Sequence, residues 1–128
     1  MKGFLNINKP KGITSYDVIR KVKKIIRDSG EEMPKIGHTG TLDPFATGVL
    51  VLCLGWEYTK RAEEVQSMSK EYVVKIRLGA ISDTYDSFGK IQNLKLKMQN
   101  GIGDGNDLSL SMVQGVVEKF TGEIEQTP

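Results

Sequence analysis

The stretch Lys35 to Pro44, KIGHTGTLDP, brings the chain's only histidine within five positions of an acid. Pro44 disfavours helical dihedrals at Asp43, the residue before it. Gly37 and Gly40 permit backbone shapes that other residues resist. An aspartate held extended between a glycine-rich turn and a proline, just ahead of a buried strand, is placed to present its carboxylate. Such a group can attack an electrophilic carbon or stabilise positive charge there. It can equally close an Asx-turn or cap a helix, with Thr47 and Gly48 completing the turn. Spacing alone leaves both uses open.

Other chemistries are excluded more firmly. His38 and Asp43 could bind a metal, but no third ligand lies nearby, which makes a poor site. A serine triad needs a histidine to spare, and His38 is the only one. No GxxxxGK[ST] phosphate loop, no GxGxxG after a strand and no HExxH occurs. Cys53, alone, forms neither an internal disulfide nor a zinc site.

The elements that must position Asp43 are legible as patterns. Phe4, Leu5 and Ile7 form a short apolar run that reads as a strand, broken by Lys9-Pro10-Lys11-Gly12. Thr14 or Ser15 then caps a helix, with Asp17 near its positive end. Val18, Ile19, Val22, Ile25 and Ile26 make one stripe, and Arg20, Lys21, Lys23, Lys24 and Arg27 fill the other positions. Gly30 stops the helix. Glu31 to Pro34 reads as a loop. Val49 to Leu54, VLVLCL, is the unbroken apolar run of a strand buried on both faces. A short helix is expected from about Glu57 to Gln66. Tyr72, Val74, Ile76 and Leu78 alternate with Val73, Lys75 and Arg77, a half-buried strand. Ser82 to Gly89 is a polar turn, and Leu94, Leu96 and Met98 mark another strand. Residues 100–107, NGIGDGND, form a flexible glycine-rich loop. Met112 to Phe120 is a last amphipathic helix, closed by Gly122, and the final EIEQTP begins an extended segment. The order implies an α+β architecture.

The 128 residues suit one domain, and an apolar content of 38% is that of a globular chain. No run approaches the ~20 apolar residues of a membrane-spanning helix, and no secretory leader is visible, so a soluble cytoplasmic protein is expected. The net charge of +2 hides an asymmetry: Met1 to Gly30 holds eight basic and two acidic residues, Gln99 to Pro128 one basic and five acidic. A basic end suggests a polyanionic partner, or simply a solvated helix face.

GHTGTLDPFATGVL, Gly37 to Leu50, closely resembles the signature of the TruB-type tRNA pseudouridine synthases. Four more segments agree in order. Asn8 to Ser15 is similar to the KPxGxTS motif, Lys70-Glu71-Tyr72 to the lysine-x-tyrosine strand, Asp83-Thr84-Tyr85-Asp86 with Gly89 to the TDTxDxxG turn, and Phe120 to Gln126 to the FxGxIxQ segment. The resemblance implies a mixed, mainly antiparallel sheet with flanking helices. It implies isomerisation of uridine 55 in the tRNA T-arm, with Asp43 as nucleophile and neither metal nor cofactor. Tyr72 would stack on the flipped uracil and assist removal of the C5 proton. His38 would fill the space the uridine leaves. Lys9 and Pro10 would support the catalytic loop, with contact to RNA phosphate a second use for Lys9 and a plain surface lysine the commoner alternative, while Gly37, Thr39, Gly40, Leu42 and Pro44 shape the loop itself. The basic first helix gains tRNA backbone as its partner.

Members of that family continue with a PxYSA-like segment and a GTYIR-like strand whose arginine pairs with the catalytic aspartate. Neither occurs here, and Arg61 and Arg77 lie outside such a motif. The chain therefore reads as the N-terminal portion of a catalytic domain, to be completed by a C-terminal part or a complementing chain.

Overall fold

The computed structural model describes residues 1–94, 96–98, 101–103 and 109–125. They fall into two compact units, Met1–Tyr72 and Val73–Pro128.

The first unit is a three-stranded antiparallel sheet backed by a helix. Strand β1 (Gly3–Lys9) pairs along its whole length with β3 (Gly48–Leu54), and β2 (Ile36–His38) pairs with the other edge of β3, giving the order β1-β3-β2. Helix α1 (Ser15–Asp28) supplies Val18, Ile19, Val22 and Ile26 to the core, where they meet Leu50, Leu52 and Leu54. Leu5, Ile7, Ile13, Ile36 and Leu42 pack around that cluster. The register explains the face: Leu5 lies opposite Leu52 and Ile7 opposite Leu50, so all four point to α1.

Thr14 is the cap that the sequence left open between two residues. Its hydroxyl accepts from the Asp17 amide at 3.0 Å, and the Asp17 carboxylate accepts from the Thr14 amide at 2.8 Å, a reciprocal capping box. The helix stops at Gly30, whose φ of 74° suits only glycine without strain.

The VLVLCL run is not buried on both faces. Leu50, Leu52 and Leu54 are buried, whereas Val49, on the opposite face, is 67% exposed. Cys53 is the exception there, lying fully buried opposite Phe4. Phe4 in turn meets Tyr58 edge-on. Tyr58 belongs to α2 (Trp56–Lys60), the first of two short helices where one was expected; α3 (Ala62–Gln66) follows after Arg61 leaves helical dihedrals at φ −91°, ψ 10°. Ile25 is also exposed, because it sits just past the edge of the arc spanned by Val18 and Ile19.

The expected strand Tyr72–Leu78 does not form: residues 69–77 carry no regular structure, and Tyr72, Val74, Ile76 and Leu78 are all exposed. An alternating segment becomes a strand only when a neighbour takes its amides and covers its apolar face, and none among the described residues does so.

In the second unit, β4 (Ala80–Ser82) and β5 (Ile91–Asn93) form a hairpin around the polar turn read from the sequence. β6 (Leu96–Met98) pairs with β7 (Gly101–Gly103), so part of the 100–107 stretch is strand; Asn100 and residues 104–107 lie outside the described residues. Helix α4 (Leu110–Val117), capped by Ser109, runs into a 3₁₀ turn, Glu118–Phe120. Helices with antiparallel sheets make the protein α+β, as expected.

Candidate active site

Residues 39–47 connect β2 to β3 at the end of the sheet where β1 gives way to α1. They are anchored at Thr39, at Leu42 and at Pro44. At the first, the Thr39 amide donates to the Val51 carbonyl at 3.0 Å, and Thr39 is buried. At the second, the Leu42 amide donates to Ser15 Oγ at 3.0 Å while the same hydroxyl lies 3.2 Å from the Leu42 carbonyl, which accepts from it. At the third, the Pro44 carbonyl accepts from the Gly12 amide at 2.7 Å and from Lys9 Nζ at 3.5 Å.

Asp43 lies between the second and third anchors. Its own carbonyl accepts from the Ala46 amide at 3.0 Å, closing a turn with Pro44 at the second position, where its fixed φ is favourable. Main chain closes this turn, not the Asp43 side chain. Among the described residues the carboxylate of Asp43 makes no hydrogen bond and no ion pair, and the residue is exposed. The Asx-turn and helix-cap readings both require a bond that is not made. The backbone is thus fixed on either side of an acid whose oxygens are left for something else.

Lys9 is the feature the sequence described least well. It ends β1 fully buried, on the face that carries Ile7, and Nζ donates to the Ile13 carbonyl at 2.8 Å, the Pro10 carbonyl at 3.0 Å and the Pro44 carbonyl. An ammonium has three protons, and three carbonyls receive them. Lys9 is therefore not a surface lysine and cannot reach a phosphate from this position. Its role is to knit the KPKG turn to the turn holding Asp43. Gly12, at φ 89°, allows the tight path that brings its own amide to Pro44.

His38 Nδ1 is buried with no hydrogen-bond partner. Its register partner is Leu52, on the face packed against α1. Gly37 and Gly40 have no positive φ, contrary to the expectation that unusual dihedrals explain them, and a Cβ on Gly40 would meet open space. Positive φ occurs instead at Gly48, where the loop enters β3, and at Gly12 in the KPKG turn bonded to Pro44. Pro10 is exposed beside Lys9.

A family model described as TruB family pseudouridylate synthase (N terminal domain) matches residues 16–128. The chain belongs to the TruB family. Curated relatives named tRNA pseudouridine synthase B include those of Clostridium tetani, 44% identical, and Clostridium acetobutylicum, 45% identical, each over all 128 residues of this chain and 39% of the relative. That of Protochlamydia amoebophila is 38% identical over the whole chain and 44% of the relative. The chain spans about two-fifths of the length of these curated relatives.

Other positions singled out for a TruB-family site are not gathered around Asp43 by any described contact. Tyr72 is 69% exposed at the boundary of the first unit. A surface hollow in that unit is lined by Lys2, Trp56, Glu57, Lys60 and Arg61, and one in the second unit by Val113, Gln114, Val117 and Glu118; neither includes Asp43. Among the described residues no three metal-ligating side chains come together, and no helix is long and apolar enough to cross a membrane. Sequence reasoning missed Ser15 as an anchor, taking it only as a rival cap to Thr14. The signal was the Thr-Ser pair itself: one hydroxyl suffices for the cap, leaving the other free.

Proposed function

We propose that this chain is the N-terminal part of a cytoplasmic tRNA pseudouridine synthase that isomerises uridine 55 of the T-arm, with Asp43 as the catalytic carboxylate. The observation that carries the reading is the immobilised backbone around Asp43, whose carboxylate is exposed and unbonded. Preorganisation of this kind favours attack on a fixed carbon over local hydrogen bonding.

The chemistry balances without a redox partner. The N1–C1′ bond of the uridine breaks as the Asp43 carboxylate attacks the ribose–uracil unit or stabilises the electron-poor C1′. The freed uracil turns, C5 bonds to C1′ and the carboxylate leaves. C5 then gives up its proton, N1 gains one, and the product is an isomer of the substrate. Flipping the base out costs a few kcal/mol, recovered by stacking in the pocket. We assign that stacking, and help with the C5 proton, to Tyr72, and the filling of the vacated space to His38. The arginine that would pair with Asp43 is assigned to sequence outside these 128 residues, in the same protein or a complementing chain.

The tRNA backbone is assigned to the outer face of α1. There Arg20 pairs with Asp17 and Lys24 with Asp28, while Lys21, Lys23 and Arg27 remain for phosphates. The test is tritium release from C5-tritiated tRNA by the protein as encoded and by its Asp43→Asn variant. Release from the wild type, its loss by about 10⁴-fold in the variant and tRNA affinity within threefold are expected. Unchanged turnover in the variant would remove Asp43 from the mechanism. Binding without release by the 128-residue chain alone marks it as the RNA-holding part of the enzyme.

A further inference from the structure

We infer that Ser15 is a positioning residue for the reaction, acting through the backbone of Leu42 to hold Asp43 at its angle of attack. This rests on the assignment of Asp43 above. Ser15 is the first residue of α1 and only 3% exposed. A serine at the start of a helix ordinarily spends its hydroxyl on the helix's own amides. Here Thr14 already does that, with Asp17 completing the box. The Ser15 hydroxyl turns instead to a residue 27 positions away, accepting from the Leu42 amide at 3.0 Å and donating to its carbonyl at 3.2 Å.

A single side chain that satisfies both main-chain groups of one residue acts as a strand neighbour does, and fixes the peptide planes on both sides of it. One of those planes is the Leu42–Asp43 peptide. Without the hydroxyl, a part-buried amide and carbonyl lose their partners together, and the anchor nearest Asp43 on its N-terminal side recedes to Thr39. A shift of about 1 Å in a reacting group can cost roughly 100-fold in rate. Ser15 touches neither substrate nor reacting atoms, so its loss should lower kcat and leave KM in place.

The experiment compares Ser15→Ala, Thr14→Ala and Asp43→Asn in the protein as encoded, with single-turnover tritium release at saturating tRNA, tRNA affinity, and amide exchange across residues 39–46. Ser15→Ala is expected to slow the chemical step by about 10- to 100-fold with affinity within twofold, and to speed exchange at Leu42 while Thr39, bonded to Val51, stays protected. Thr14→Ala removes the helix cap but not the clamp, and is expected to keep a rate within threefold of wild type. A Ser15→Ala rate within twofold of wild type, or one no lower than that of Thr14→Ala, overturns the proposal. The wild type supplies a measurement that needs no variant: the Leu42 amide must exchange slowly, and exchange at the rate of an open coil overturns the clamp. Full turnover by Asp43→Asn would instead sink the catalytic assignment, and the Leu42 exchange would still read the clamp by itself.

Discussion

Replacing Lys9 by Met tests the least intuitive feature of the site. Methionine keeps the length and apolar stem, so no cavity opens, but it removes the ammonium. The Pro44 carbonyl keeps its 2.7 Å bond from Gly12, and the Lys9 contact there is the longest of the three. The Pro10 carbonyl belongs to an exposed residue and can turn to water. The Ile13 carbonyl, on a half-buried residue, is orphaned. Losing charge-assisted bonds and stranding one carbonyl costs about 2–4 kcal/mol, after allowing that a buried cation no longer has to be desolvated. For a unit the size of Met1–Tyr72 that corresponds to a fall in Tm of roughly 10–30 °C.

Urea unfolding followed by the single tryptophan, Trp56, reads that unit directly, since Trp56 lies within it. Complete loss of the cooperative transition in Lys9→Met falls on the same side. Lys9→Arg should lose most of the same stability, because a planar fork cannot direct protons to three carbonyls arranged around one nitrogen. A surface lysine that touches phosphate behaves oppositely: its loss leaves stability within about 0.5 kcal/mol and lowers the salt dependence of RNA binding by slightly under one unit of slope. That pair of results would refute the buried-clamp reasoning.

Asp43→Asn should abolish tritium release while tRNA binding survives, and Ser15→Ala should slow the chemical step without weakening affinity, both read in the assays given above. Asp17 is held below the ordinary aspartate range, chiefly by the Thr14 hydroxyl and then by the Thr14 amide. A depressed value in the fold means that this carboxylate stabilises α1 above the ordinary range and ceases to do so as pH falls through the lowered value. Thr14→Ala should therefore move the Asp17 midpoint upward in a carboxyl NMR titration, and an unmoved midpoint would contradict the capping box. In the second unit, a Cβ at Gly89 would run into the Asp83 carboxylate and the Thr84 hydroxyl. Gly89→Ala should release Asp86 from the Thr84 hydroxyl and the Phe88 amide, which hold its carboxyl low, and raise its titration midpoint towards the ordinary range.

The elements around Asp43 were legible because their signals are local. A helical stripe, a capping pair and an apolar run each occupy a few consecutive residues, and α1 and β3 fall where those patterns put them. What failed depended on neighbours. VLVLCL reads as doubly buried because every residue is apolar, yet Val49 faces outward, since only one sheet face at that end is covered. Tyr72 to Leu78 has the period of a strand and lacks a partner for its amides. Lys9 reads as a surface charge because lysine almost always is one. Only the fold brings the carbonyls of Pro10, Ile13 and Pro44 around its nitrogen.

The anchors of the loop share an origin that bears on how the site works. Apart from the Thr39 bond to Val51, the long-range hydrogen bonds described above for the Asp43 loop come from residues 9–15, KPKGITS: Lys9 Nζ, the Gly12 amide and the Ser15 hydroxyl. The two segments are far apart in sequence and meet because β1 and β3 pair along their full length, placing Lys9 opposite Gly48. The KPKGITS turn thus acts as a mould, and a slip of one residue in the β1–β3 register would turn Lys9 to the open face and leave Pro44 and Leu42 without their partners. The shape of the acid's turn is then a property of sheet register rather than of its own glycines, which agrees with neither Gly37 nor Gly40 having a positive φ. It follows that Gly40→Ala, with open space for its Cβ, should leave turnover nearly unchanged, whereas Gly12→Ala, at a φ of 89°, should impair it although it lies 31 residues from Asp43.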